Sequence, residues 1–234
     1  MAQQLSLTHE KCRVDPALPP RGKPRPFVLT VIAVGPHSHV LNVAGASVDI
    51  VSTSPRKTAS AGIAFVPSQR PVEGLALTIS ASDNVSLPRI RRTGRLWFVG
   101  RSWQLEEFQT AVGMLSVTPS DPSLHVQSFS GGNQQKLLLA KWMFNAPRVL
   151  IAHEPTQAVD VGARDDILRA LRSKADAGAA VLISSIETDD LARVCDRVLI
   201  MRAGTIVREL TGDDITSYSI ITAVYDEPEQ DANK

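Results

Sequence analysis

The chain has 234 residues, 43% of them apolar and 21% charged. It can therefore bury a substantial core and is too apolar to stay disordered. Twenty-five Lys and Arg against 24 Asp and Glu leave a net charge of +1, which excludes a strongly basic nucleic-acid binder and an acidic solvating chain. Cys12 and Cys195 are too few for a disulfide scaffold or a four-ligand zinc site and suit a reducing compartment. The longest early apolar run, residues 27–34, falls far short of the roughly 20 residues of a spanning helix. Met1-Ala2-Gln3-Gln4 lacks the basic-then-apolar order of a signal peptide. The expectation is a cytoplasmic protein that is free to sit on a membrane partner.

Residues 11–26 are basic and proline-rich, with Pro16, Pro19, Pro20, Pro24 and Pro26, and read as linker. Residues 27–51, rich in Val, Ile and Leu and broken at Gly35-Pro36 and Gly45, read as short strands. Residues 63–66 read as a buried strand stopped by Pro67. A basic stretch over 88–101 sets Arg89, Arg91, Arg92, Arg95 and Arg101 around Trp97. Over 102–115, Leu105, Phe108, Val112 and Leu115 recur at helical spacing. Residues 134–144 read as a helix and 149–151 as a buried strand. Residues 160–175 form an amphipathic helix with Ile167, Leu168 and Leu171 inward, ended by Gly178. Residues 181–183 are another buried strand. Thr188 is expected to cap a helix through Val194, with Asp189 and Asp190 at its positive end. A hairpin follows over 197–210, turning at Ala203-Gly204. Strands alternating with helices predict an α/β fold with a parallel sheet. The tail, 226–234, is polar and is expected to be disordered.

Two segments carry chemistry. The first is Ser128-Phe129-Ser130-Gly131-Gly132-Asn133-Gln134-Gln135-Lys136, running into Leu137-Leu138-Leu139-Ala140. Two glycines ahead of a helix leave backbone N–H groups open at its positive end, with a serine hydroxyl beside them, which suits a phosphate. A bare Ser-Gly-Gly, read alone, favours a plain glycine turn before a helix. The second is Leu150-Ile151-Ala152-His153-Glu154-Pro155-Thr156, with Asp160-Val161-Gly162 beyond it. An apolar strand ending in Glu154 puts a carboxylate where open α/β sheets bind ligands. Such a carboxylate can orient or deprotonate a water that attacks phosphorus.

Together these segments resemble the ATP-binding-cassette (ABC) ATPases, most of all the C-terminal cassette of the double-cassette ATPase of bacterial monosaccharide importers. Further resemblance lies in Ala61-Gly62-Ile63-Ala64-Phe65-Val66-Pro67, Glu73-Gly74-Leu75, Asp83-Asn84-Val85, Ser184-Ser185-Ile186-Glu187-Thr188 and Cys195-Asp196-Arg197-Val198-Leu199-Ile200-Met201. The resemblance covers residues 48–210. It implies a P-loop NTPase-like cassette over 1–225, with a mainly parallel core sheet, a small antiparallel β part and a helical subdomain near 83–130. It implies an ATP-binding subunit of a sugar importer on the inner face of the membrane. Its partners would be transmembrane permease subunits, a second cassette and, indirectly, an extracellular sugar-binding protein, with no nucleic acid. The arginines around Trp97 then belong to the subdomain surface rather than to an RNA or lipid site.

By the same resemblance Glu154 is the catalytic carboxylate. Ser130, Gly131, Gly132, Asn133 and Gln134 are the signature that meets a partner's ATP, and Asp160 signals across the interface. Ser68 with Gln69 takes the glutamine-loop position, and Ser185 the switch position. Two departures stand out. Counting back from Val48-Asp49-Ile50 puts the phosphate loop on Ala17-Leu18-Pro19-Pro20-Arg21-Gly22-Lys23-Pro24, where only Gly22 and Lys23 match and prolines remove N–H donors. His153 replaces an aspartate of the Mg²⁺ shell, and imidazole is a poor ligand for that ion. Mg²⁺ is therefore doubtful, and weak or absent hydrolysis is expected at the chain's own site. The alternative is an inactive cassette that serves as a structural or regulatory partner.

Overall fold

The computed structural model describes residues 28–31, 40–43, 46–49, 55–89, 101–202 and 205–225. In chain order its strands are β1 (Val28–Val31), β2 (Val40–Val43), β3 (Ala46–Asp49), β4 (Ile63–Val66), β5 (Val149–His153), β6 (Ala180–Ser184), β7 (Arg197–Arg202) and β8 (Thr205–Thr211). The α-helices are α1 (Pro55–Ser60), α2 (Ala81–Ser86), α3 (Ser102–Leu115), α4 (Gly131–Met143), α5 (Val161–Asp176), α6 (Thr188–Val194) and α7 (Ser217–Tyr225). The expected sites at Gly22 and Lys23, most of the arginine cluster and the tail lie outside the described residues.

The main sheet runs in the order β4-β5-β6-β1-β7-β8. All its pairings are parallel except that of β8 with β7. β2 and β3 form a separate antiparallel pair, with Val40 opposite Asp49. The inner strands are short apolar runs because helices cover the sheet. Val66, Leu150, Ala152, Val181 and Ile183 are all buried. The chain leaves β1 for β4 at the sheet edge, steps back through β5 and β6 to β1, then crosses β1 to reach β7. The connection leaving β1 runs toward β4 and that leaving the adjacent β6 runs toward β7, so the two exits diverge and the strand order reverses between β1 and β6. Open α/β sheets hold their ligand crevice at the carboxyl ends of strands at such a reversal.

The helices carry the core. α5 begins one residue after Asp160, whose carboxylate accepts the Ala163 N–H at 2.8 Å. Ile167, Leu168 and Leu171 face inward as expected. Past its end, Gly178 takes φ +97°, a left-handed conformation that glycine adopts without cost. α4 starts three residues before the expected 134, because Ser130 caps it. Its Leu137, Leu138, Leu139 and Ala140 are all buried.

α3 keeps the expected bounds and most of the expected stripe, with Val112 half-buried against the core and Leu105 alone turned out. Phe108, Ala111 and Leu115 are buried, whereas Leu105 is exposed and Gln104 and Glu107 are buried instead. Gln104 and one oxygen of Glu107 have partners, while the other Glu107 oxygen, Oε2, is buried without one. Gln104 Nε2 donates to Ser86 Oγ at 2.9 Å, and Glu107 pairs with Arg89. Burial pushes the Glu107 carboxyl up, against the pull of Arg89. A second correction concerns Thr188, which is the first residue of α6 rather than its cap. Glu187 holds the cap position without a side-chain bond. No helix among the described residues is long and apolar enough to cross a membrane.

Candidate functional site

At the carboxyl end of β5, His153 pairs with Ser184 of β6 and is exposed. Glu154 follows at φ +48°, a left-handed conformation that disfavours side chains and collects at functional loops. Its backbone N–H donates to Ser184 O at 2.7 Å. The buried Ser185 hydroxyl donates to Glu154 Oε2 at 3.1 Å, and the Ile186 N–H donates to Oε1 at 3.1 Å. The expected catalytic carboxylate and switch serine are thus in contact, beside the β1 and β6 ends.

A network that the sequence reading missed stands behind them. Asp190, buried at the start of α6, accepts the Thr156 hydroxyl at 2.6 Å and Arg164 Nε at 2.6 Å. Arg164 also reaches Glu187 at 3.0 Å. The Asp190 hydrogen bond, aided by both carboxylate charges, raises the Arg164 guanidinium further above its ordinary value. These bonds tie the loop after β5 to α5 and α6.

The loop from Glu154 to Asp160 leads to the second cluster, passing Ala158 at φ +53°. Ser130 Oγ accepts the Asn133 N–H at 3.4 Å and Asn133 Nδ2 at 2.9 Å. Gln134 Nε2 donates back to Phe129 O at 3.0 Å. The two glycines differ. A Cβ on Gly132 would lie 2.8 Å from Ala163 Cβ and 2.8 Å from Asp160 Oδ2. Packing against α5 therefore explains that glycine. A Cβ on Gly131 would meet only Arg70 Nη2 at 3.5 Å and Ala158 O at 3.6 Å, both ordinary contacts. Nothing among the described residues requires a glycine there, so its bare backbone stays open to approach from outside.

Ser68 is half-buried and Gln69 exposed, just before a π-helical turn over Arg70–Gly74. The link to the start of α4 is the next residue, Arg70, whose Nη1 donates to Gly131 O at 3.0 Å. Partial burial lowers its guanidinium from the ordinary value. At the other end of the same turn, the buried Lys141 of α4 donates to Gly74 O at 2.7 Å. The turn and α4 are thus fastened at two points. Neither cation stands in a motif, and both bonds cross more than sixty residues of sequence.

Comparison with known proteins gives the family. The ABC transporter family model matches residues 36–157, just over half of the chain. The chain belongs to the ABC transporter family. This cassette is 39% identical over 172 residues to ribose import ATP-binding protein RbsA 1 of Rhizobium etli, a match covering 73% of the chain and 34% of that relative. It is 35% identical over 173 residues to ribose import ATP-binding protein RbsA 2 of Escherichia coli O157:H7, covering 74% and 35%. The chain spans about a third of the length of these curated relatives. A solved dimeric ATP-binding cassette in a post-hydrolysis state with ADP and Pi superposes with a TM-score of 0.62 at 20% identity, covering 74% of this chain and 72% of that one. The expected ABC-type α/β fold is therefore the observed one.

The donor set at the end of β5 does not suit the Mg²⁺ that the family implies. His153 offers nitrogen where a hard cation wants oxygen. Both Glu154 oxygens already accept hydrogen bonds.

Proposed function

We propose that this ABC cassette is an ATP-binding subunit, or half-subunit, of a sugar-type importer, and that it completes the ATP site of a partner cassette. The observation that carries this reading is Gly131, a glycine without a packing role at the capped, positive end of α4. Ser130, Gly131 and Gly132 would donate to the γ-phosphate of an ATP held by the partner, with Asn133 and Gln134 as their support. Asp160, bound to α5 and touching Gly132, would carry the state of one site to the other. The partners are transmembrane permease subunits and a second cassette, with a sugar-binding protein acting through the permease. The location is the cytoplasmic face of the membrane. The relatives' names supply the sugar class.

At the cassette's own site we propose weak or absent hydrolysis. A phosphate loop follows its strand and leads into a helix. The strand at the reversal is β1, and the eight residues between β1 and β2 are Ile-Ala-Val-Gly-Pro-His-Ser-His. They hold no Gly-Lys pair, and the phosphate-loop motif alone is as long as that interval. Gly22 and Lys23 precede β1 in sequence instead. Glu154, Ser185, His153, Ser68 and Gln69 would face this weakened site.

Two measurements test the reading. The purified chain should turn over ATP at well below about 1 per second, with no change on Glu154→Gln. Turnover at or above that rate, abolished by Glu154→Gln, overturns the own-site proposal. In the complex reconstituted with its permease and partner cassette, Ser130→Arg or Gly131→Asp should stop ATP-driven transport. Full activity with either refutes the role in the partner's site. A complex that keeps transporting while Ser130→Arg changes only its assembly favours the structural or regulatory alternative.

A further inference from the structure

The amide of Asn133 is locked from one side. Thr118, in the loop after α3, donates its backbone N–H to Asn133 Oδ1 at 2.8 Å. A backbone N–H can only donate, so the atom it meets must be the amide oxygen, and the NH₂ end must face Ser130. There Nδ2 donates to Ser130 Oγ at 2.9 Å, while the Asn133 backbone N–H donates to the same oxygen at 3.4 Å. A serine hydroxyl has two acceptor positions and one proton. Both acceptor positions are taken by N–H donors from within the chain. The proton is then left for something else, and no acceptor for it lies among the described residues. Ser130 is exposed.

We propose that Asn133 is a positioning residue that fixes the Ser130 hydroxyl as an outward-pointing donor to a phosphate oxygen. The proposal rests on the reading of Ser130 as a phosphate contact and adds how its polarity is set. An unconstrained serine could offer an incoming anion either its proton or a lone pair. With both lone pairs occupied, only the proton is presented, so no reorientation is needed when the phosphate arrives. Thr118 therefore influences the site through the amide, without touching the ligand.

Substitutions at Asn133 separate this role from a structural one. Asn133→Ala frees the hydroxyl to rotate. Asn133→Asp keeps an oxygen for the Thr118 N–H and places an acid in the first turn of α4, which favours the helix. Its second oxygen, however, accepts the Ser130 proton and turns the hydroxyl inward. A residue that served only the fold would make the aspartate variant the milder one. Positioning makes it the more stable of the two and the weaker binder.

The test is an NMR titration of the full chain with inorganic triphosphate, followed at the Gly131 backbone amide and the Asn133 side-chain amide. The wild-type chain should show a saturable shift at Gly131. Ser130→Ala and Asn133→Ala should each weaken binding by about tenfold, since a charge-assisted hydrogen bond is at stake in both. Asn133→Asp should weaken it further, with an unfolding midpoint no lower than that of Asn133→Ala. In the Ser130→Ala background, Asn133→Ala should cost nothing more. Without ligand, Ser130→Ala should move the Asn133 Nδ2 resonances, which lose their acceptor. Equal and additive losses from Ser130→Ala and Asn133→Ala overturn the positioning role but leave the phosphate contact standing. A wild-type chain whose Gly131 amide ignores triphosphate overturns the phosphate contact, and this inference with it.

Discussion

The two glycines that open α4 offer a sharp test, because the fold needs one of them and not the other. In Gly132→Ala the new Cβ would lie 2.8 Å from Ala163 Cβ and from Asp160 Oδ2. Ala163 sits on the first turn of α5 and cannot swing aside. Asp160 is held by the Ala163 N–H at 2.8 Å, so moving it uncaps α5. Overpacking of this kind costs about 1–3 kcal/mol, and loss of a cap costs about 1 kcal/mol. Replacing glycine by alanine in a helix returns up to about 1 kcal/mol. The net loss is about 2 kcal/mol, which lowers the melting temperature of a chain this size by about 4–8 °C. Gly131→Ala meets only ordinary contacts at 3.5 and 3.6 Å, so it should leave the melting temperature unchanged or raise it by about 1–2 °C. Thermal unfolding followed by circular dichroism reads both. Equal shifts, or a larger loss for Gly131→Ala, would refute the packing argument and remove the reason for treating Gly131 as a contact surface.

Asp190→Ala should cost about 2 kcal/mol in urea unfolding, because it leaves the Thr156 hydroxyl unpaired and the Arg164 guanidinium with Glu187 alone. Adding Arg164→Met should recover part of that loss, and no recovery would count against the network. Lys136, almost wholly buried, donates to Asp166 at 2.7 Å and to Ser116 O at 3.1 Å. Burial acts to raise the Asp166 carboxyl, but Lys136 and then Arg169 outweigh it and hold the group below its ordinary value. Its contribution to stability is therefore present above the ordinary carboxylate value and is lost as pH falls through the lowered one. Asp166→Asn should cost about 2 kcal/mol at neutral pH and flatten the acid limb of the stability curve. An unchanged acid limb would refute the assignment.

Sequence periodicity found α4, β5, α5 and β6 because their burial is one-sided or complete, and each apolar run has a single place to go. It failed where partners come from far along the chain. Leu105 fits the helical stripe of α3 but is exposed, because Gln104 and Glu107 find Ser86 and Arg89 and take the inward face. Arg70 carries no motif signal, and its role exists only once folding brings Gly131 within 3.0 Å. α4 starts three residues before its apolar pattern does, because glycines weaken helix propensity while the Ser130 cap that overrides them is a matter of geometry. Glu154 was legible as a strand-end acid. Its left-handed backbone and its bond to Ser185 were not, since neither follows from residue type.

The place of β1 has a consequence for how the molecule is made and broken. Among the described strands it comes first in sequence, yet its partners in the sheet, β6 and β7, come late. Until it is inserted, the sheet is two fragments, β4-β5-β6 and β7-β8, each with a raw inner edge. Closure must then wait for pairings between strands far apart in sequence, which form slowly and leave those edges in competition with edges on other molecules. Proteolytic trimming past Val31 would not merely shorten the protein. It would remove the strand that joins the two fragments and leave a matched pair of sticky surfaces.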